Sequence, residues 1–191
     1  MNLVCCDLEN QFVRLEPLSE AHRDGLHEAA HTGINWAVYP QAMTGNGFAA
    51  WFEGSQRIHE SRREMIFAVR DARTGRIAGS SRFLNIVPEH ARAEIGGTWY
   101  ARPAQGTAIN PACKLLMMQH AFSSGANRVE FKVDSRNAHS RAAVLKLGAR
   151  EEGILRRHMI NHDGHVRDSV YYSVLTDEWP LVREGLLARL D

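Results

Sequence analysis

The residues best placed to do chemistry lie between positions 98 and 148. A strand end, Thr98-Trp99-Tyr100, runs into a loop of small residues, 102–110, and then into a helical run, 111–122. An alternating strand over 128–134 follows. A polar segment, Asn137-Ala138-His139-Ser140, then leads into a second helix that ends at Gly148. Strand, glycine-containing loop and helix start together expose unpaired backbone N–H groups at the positive end of a helix, which is the chemistry of an anion site. Spacing alone places that anion near Gly106 and does not name it. Upstream, Glu94 precedes a glycine pair, Gly96-Gly97, inside a strand, and glycines there mark a bulge or the close approach of a ligand or backbone.

Other reactive side chains carry less. His158, His162 and His165 are close in sequence, but the last two fall in a turn and no carboxylate or thiol pattern joins them, so no metal site is expected. Cys5, Cys6 and Cys113 are odd in number with no Cys-x-x-Cys pair, which predicts reduced thiols rather than disulfides or zinc. Cys113 reads as core.

The elements that must position these residues can be read in order. Residues 12–17 alternate as a strand stopped by Pro17, and Ser19 can cap a helix over 20–31. After Gly33 comes a loop, 35–40, whose aromatics Trp36 and Tyr39 either cover a core edge or line a substrate cleft. A second helix is expected over 48–61, then a hairpin of strands 65–70 and 77–84, and a strand over 92–100 with the glycine pair in its middle. Beyond Gly148, strands 154–160 and 166–174 form a hairpin about the turn at 162–165. Thr176 can cap a closing helix over 179–190, with Pro180 in its first turn. No repeat, low-complexity segment or linker interrupts this order, so one domain over 1–191 is predicted, with its core over about 12–179 and an α+β fold.

Composition narrows the class of partner. With 44% hydrophobic and 24% charged residues the chain is ordinary for a globular domain. Twenty-three basic against 22 acidic residues leave a formal charge of +1, too little to hold nucleic acid or an anionic membrane except through a local patch. No apolar run approaches the roughly 20 residues needed to cross a bilayer, and the first residues lack the basic start of a signal peptide. A cytoplasmic protein is expected.

This order of elements, with these residues, resembles the GNAT family of acetyl-CoA-dependent N-acetyltransferases, in particular its RimJ/RimL-like branch. The likeness rests on Glu94-Ile95-Gly96-Gly97-Thr98-Trp99, Gln105-Gly106-Thr107-Ala108-Ile109-Asn110, Arg128-Val129-Glu130-Phe131-Lys132, Asn137 with Ser140-Arg141, Leu147-Gly148-Ala149, Glu152-Gly153 and Arg167-Asp168-Ser169. It covers nearly the whole chain, and the spacing of the pieces is what makes it specific. It implies a central mixed, mostly antiparallel sheet of about seven strands with helices on both faces. It also implies that the pyrophosphate of coenzyme A sits on the loop and helix start after the fourth strand. The family pattern there begins with Gln or Arg, and Pro103 stands in that place. The grip is therefore expected from the backbone N–H groups of Gly106, Thr107 and Ala108, with Arg102 and Gln105 beside them. The helix start has two readings, Asn110-Pro111 as cap and first residue, or a start near Thr107 as in the family.

The resemblance also implies site residues. Thr98 or Trp99 would give an oxyanion its backbone donor, and Asn137, Ser140 and Arg141 would lie along coenzyme A, with a cap or turn as the structural alternative for Asn137. Transfer from thioester to amine passes directly through a tetrahedral intermediate and needs a neutral amine, hence a base. Glu94 leads as that base, with a solvated or salt-bridged strand residue as the structural alternative. Ser140 could protonate the departing thiolate or merely cap the helix. His158 is a further catalytic candidate, otherwise a packed strand residue. Trp36 and Tyr39 are the candidates for the acceptor, a small-molecule or peptide amine; neither membrane nor nucleic acid is expected as a partner, and a homo-oligomer is left open. The competing class is an acyl-CoA-binding regulatory module with this fold and little turnover. A nucleotide-binding enzyme is disfavoured because no Gly-Lys-Ser/Thr follows the loop.

Overall fold

In the computed structural model, which describes residues 1–190, one sheet of eight strands is covered by helices on both faces. In chain order the elements are β1 (Leu8–Glu9), β2 (Val13–Pro17), α1 (Arg23–Ala30), α2 (Gly47–Glu60), β3 (Met65–Asp71), β4 (Ile77–Val87), β5 (Arg92–Tyr100), α3 (Ile109–Ser123), β6 (Arg128–Asp134), α4 (Ala138–Lys146), β7 (Arg150–Ile160), β8 (Val166–Leu175) and α5 (Trp179–Leu187). The strand order is β1-β2-β3-β4-β5-β6-β8-β7, and only β5 and β6 run parallel. The mixed, mostly antiparallel sheet is as expected. Its eighth strand is the two-residue β1, too short to leave a periodic signal.

Alternation decides which residues enter which layer. Val129, Phe131 and Val133 of β6 join Ala112, Cys113, Met117 and Met118 of α3 and Trp179, Val182 and Leu186 of α5 in one core. Across the sheet, α1 and α2 bury Leu26, Phe48, Trp51 and Phe52 with Trp36 and Trp99. Each large apolar side chain so buried contributes about 1.5–3 kcal/mol relative to exposure. Trp99 is the hinge of this second core, meeting Trp36 and Trp51 edge-on at ring-centre distances of 5.8 and 5.5 Å.

Two irregularities in β5 set up everything that follows. Ser80 pairs with Trp99 and Arg82 with Gly96, so Gly97 and Thr98 face Ser81 alone, and the glycine pair marks a bulge. Gly97 sits at φ +55°, and a Cβ there would meet Arg82 Nε at 2.6 Å, so this position needs glycine. The extra residue resets the alternation. Ala93 and Ile95 face α3 before the bulge; Thr98 and Tyr100 face it afterwards, and Trp99 joins Glu94 on the other side. The second irregularity is a parting: β5 and β6 pair only at Arg92–Arg128, Ala93–Val129 and Glu94–Glu130. Further along, β5 pairs with β4 and β6 with β8, so a gap opens toward the ends from which α3 and α4 start.

Several predicted boundaries move. The first helix begins as a 3-10 turn, Glu20–His22, where Ser19 N–H donates to His22 Nδ1 at 3.1 Å. α3 starts at Ile109, close to the family reading, so Asn110 lies inside the first turn and is not its cap; Pro111, also in that turn, lacks only an N–H that would find no helical partner. β7 begins at Arg150, because β8 pairs with it from Ser173 onward. Glu178, not Thr176, stands before α5, and its Oε2 accepts from Leu175 N–H at 2.9 Å. The three cysteines are unpaired; Cys113 is fully buried in the core, and burial pushes its thiol pKa up. No helix among the described residues is long and apolar enough to cross a membrane.

Candidate active site

The loop after β5 is held open by its own side chains. One 3-10 turn, Arg102–Ala104, leads into it, and Gln105 Nε2 donates to Tyr100 O at 2.9 Å. The Thr107 hydroxyl donates to Ala104 O at 2.7 Å and accepts from Ile109 N–H at 3.3 Å. Gly106, at φ +73°, turns the chain with nothing within 4 Å of where a Cβ would stand. The backbone N–H groups of Gly106, Thr107 and Ala108 find no acceptor among the described residues. Three free donors beside the positive end of a four-turn helix suit a phosphate. Gln105, a candidate cofactor contact, ties the loop to β5. Arg102 is exposed, with its N–H on Thr32 Oγ1 at 2.8 Å.

Across the gap, α4 starts from the end of β6. Asn137 Oδ1 accepts from Ser140 N–H at 3.0 Å, so Asn137 is the helix cap and the capping alternative for Ser140 is excluded. The half-buried Ser140 hydroxyl has no partner among the described residues. Arg141 is engaged: Nε donates to the Tyr172 hydroxyl at 3.2 Å, Nη1 to Ser135 O at 3.4 Å, and Nη2 stands 3.6 Å from Glu151. It ties α4 to β7 and β8.

On the sheet face away from α3 lie the candidate titratable groups. Glu94 is 2% exposed; its Oε2 accepts from Asn85 Nδ2 at 2.7 Å and lies 3.5 Å from Lys132 Nζ. Asn85 reaches it from a second irregularity, in β4, where its backbone turns left-handed at φ +47°, a conformation asparagine tolerates. Lys132 Nζ is 5.9 Å from the Tyr171 ring centre, and His158 meets the same ring at 5.8 Å. His158 owes its aim to a bulge in β7. Leu155 pairs with Ser169 and Met159 with Arg167, leaving residues 156–158 opposite Asp168, whose Oδ1 takes Arg157 N–H at 2.7 Å. Desolvation, then the charges of Lys132 and Arg167, hold His158 below the usual histidine pKa, which favours its neutral ring.

Glu94 and His158 thus share one face, the anion loop and the α4 start flank one gap, and the parting of β5 from β6 joins the two groups. Trp36 stands apart. Its ring is 6% exposed, within the second core, while its carbonyl accepts from His162 Nε2 at 3.2 Å. With Pro40 O accepting from His162 N–H at 3.0 Å, loop 35–40 is clamped to the β7–β8 turn. Tyr39 remains half-buried beside it. A cavity of about 1170 Å³ touches Pro103, Ala104, Thr107 and Ala108 but runs toward α1 and the β3–β4 turn, and neither Glu94 nor Ser140 lines it.

Sequence reasoning missed Asn85, Lys132, Tyr171 and Lys114. Lys114 is 5% exposed on α3, and its Nζ donates to Thr98 Oγ1 at 2.6 Å and Ser81 Oγ at 2.9 Å, directly under the bulge. No carboxylate among the described residues lies within 4.0 Å of it, and burial lowers its pKa to about 8. Its signal in the sequence was a lone cation in an apolar helix run, Ala112-Cys113-Lys114-Leu115-Leu116.

The family model described as the acetyltransferase (GNAT) domain matches residues 13–150. Among solved structures, a T. thermophilus protein described as an acetyltransferase is 34% identical, with 97% of each chain covered and a TM-score of 0.86. A GCN5-related N-acetyltransferase from Brucella melitensis is 28% identical over all of this chain and 88% of its own, with a TM-score of 0.90. Mycobacterium smegmatis RimJ, in complex with CoA-disulfide, shares the fold at 23% identity, covering 96% of this chain and 93% of its own, with a TM-score of 0.73. No curated protein matches. Because the family match runs from β2 through the bulged strand, the anion loop and α4, the chain belongs to the GNAT family and is an acyltransferase.

Proposed function

We propose that the protein moves the acetyl group of acetyl-CoA directly to a primary amine, either a protein N-terminal α-amine, as in the RimJ/RimL-like branch, or the amine of a small molecule. One observation carries this reading: β5 and β6 pair over three residues and then part between an anion loop and a second helix start. The fit to coenzyme A is chemical. Free N–H groups at Gly106, Thr107 and Ala108 suit its pyrophosphate without the side chain that Pro103 replaces, and the gap between β5 and β6 is where a pantetheine arm would enter. When bound, acetyl-CoA supplies the thioester.

The remaining steps fall to side chains and backbone. An α-amine with a pKa near 8 gives up its proton at neutral pH far more readily than a lysine near 10.4, and Glu94 is the base assigned to it, with the neutral His158 imidazole as a second acceptor. A backbone N–H at the bulge, Thr98 or Trp99, faces the developing oxyanion. The unpartnered Ser140 hydroxyl supports its role toward the leaving thiolate. A cytoplasmic setting, where thiols stay reduced, fits this reading.

Thermal stabilisation by acetyl-CoA, followed by release of free thiol with a panel of amines, tests it. Saturation at 100 times Kd adds about 2.7 kcal/mol, which raises the midpoint by roughly 5–10 °C for a domain of this size. Stabilisation without thiol release for any amine would favour the binding-module alternative; no stabilisation would sink both.

A further inference from the structure

The polar face shared by β5, β6 and β8 is a set of matched charges with one exception. Lys132 stands 3.5 Å from Glu94, Arg136 pairs with Asp134 at 3.1 Å, and Glu130 takes Arg92 and Arg128 at 3.1 and 2.8 Å. Arg167, on β8, is 4% exposed and has only Ser169 Oγ, at 3.0 Å from its Nε. No carboxylate among the described residues comes within 4.0 Å of its guanidinium, and its terminal nitrogens donate to no described group. Neither terminal nitrogen is fully enclosed, so each keeps a little contact with the surface. Guanidinium cannot shed its charge near neutral pH, burying one with no carboxylate in contact is costly, and the two acids that act on it, Asp134 and Glu94, are already paired with Arg136 and Lys132. Its field reaches the reacting groups: it helps depress the pKa of His158, and Glu94 in turn acts on Arg167.

We propose that Arg167 receives a carboxylate borne by the acceptor, which makes the acceptor a zwitterionic amine. This rests on the acetyl-transfer reading above. The guanidinium fork matches a carboxylate in shape, and Glu94 on the same face draws the ammonium end before it is deprotonated. A phosphate dianion suits the place less well, because the acids Asp134 and Glu94 are already its neighbours and one unmatched cation balances one negative charge. The carboxylate can be that of a free amino acid or the side chain of an acidic peptide N-terminus; the two share the chemistry and separate in the test.

The experiment uses acceptor pairs that differ only in that group: α-amino acids against their carboxamides, and aspartyl or glutamyl peptides against asparaginyl or glutaminyl ones. Binding to the coenzyme A-loaded protein is read by titration calorimetry, and transfer by thiol release. In at least one pair the carboxylate member should bind about tenfold more tightly, and the pair that responds identifies the source. Arg167→Met should bring that ratio to within about twofold, and Arg167→Lys, which keeps the charge without the fork, should lower it about threefold. Wild-type protein that separates no pair overturns the proposal, as does a ratio undiminished in either variant. The wild-type comparison stands even if a variant fails to fold. A carboxylate preference in binding with no transfer to any amine would overturn the acetyl-transfer reading and leave the role of Arg167 in place.

Discussion

Replacing Lys114 by methionine asks whether the cation beneath the β5 bulge is held against its own desolvation. Its Nζ has two hydroxyls and no described carboxylate for company, and burial lowers its pKa from 10.5 to about 8. A folded-state pKa below the unfolded one destabilises the fold fully at pH values under the folded pKa. The effect fades as pH climbs toward the unfolded pKa, because in that window the unfolded chain binds more protons. At about 1.4 kcal/mol per pKa unit, wild type should gain roughly 3 kcal/mol on the Lys114→Met variant between about pH 8 and pH 10.5. Cys113 and Tyr100, whose pKa values burial raises, pull the other way over part of this range, and subtracting the variant removes their common share. The Ser81 and Thr98 hydroxyls, 2.8 Å apart, keep each other as partners in the variant, so methionine leaves neither orphaned. Urea midpoints in reductant, taken across that pH range with a shared slope, give the difference directly. Curves that run parallel would refute the assignment of a destabilised buried cation.

Gly106→Glu puts a side chain at φ +73° and a negative charge among the free loop donors; acetyl-CoA should then give no thermal stabilisation, and unchanged affinity in a folded variant would contradict the placement of the phosphate. Glu94→Gln keeps an acceptor for Asn85 and loses the charge facing Lys132; turnover should fall by about 10²–10⁴ with little change in cofactor affinity, whereas an unaltered rate across pH would remove Glu94 as base. Asn137→Ala removes the side chain that caps α4 and should lower stability by about 1 kcal/mol in urea titrations; no change would mean that Asn137 matters only to the ligand.

Local pattern in the chain determined a good deal. Alternation in residues 128–134 told which side of β6 is apolar, Gly96-Gly97 marked the bulge, and the glycine loop before a helix announced free N–H donors. These are properties of neighbours along the backbone, and periodicity reports them. The parting of β5 from β6, the duty of Gln105 as a tie to Tyr100 O, the capping of α4 by Asn137 instead of Ser140, and the burial of Trp36 were decided only in three dimensions. So were the pairing of Glu94 with Lys132, the hydroxyl cradle of Lys114 and the unmatched charge of Arg167. The physical reason is the same for each. A polar residue on an alternating strand looks identical in sequence whether its face meets water, a helix or a partner charge. That choice is made by strand order, which brings together side chains as far apart in the chain as Asn85, Glu94, Lys132 and His158.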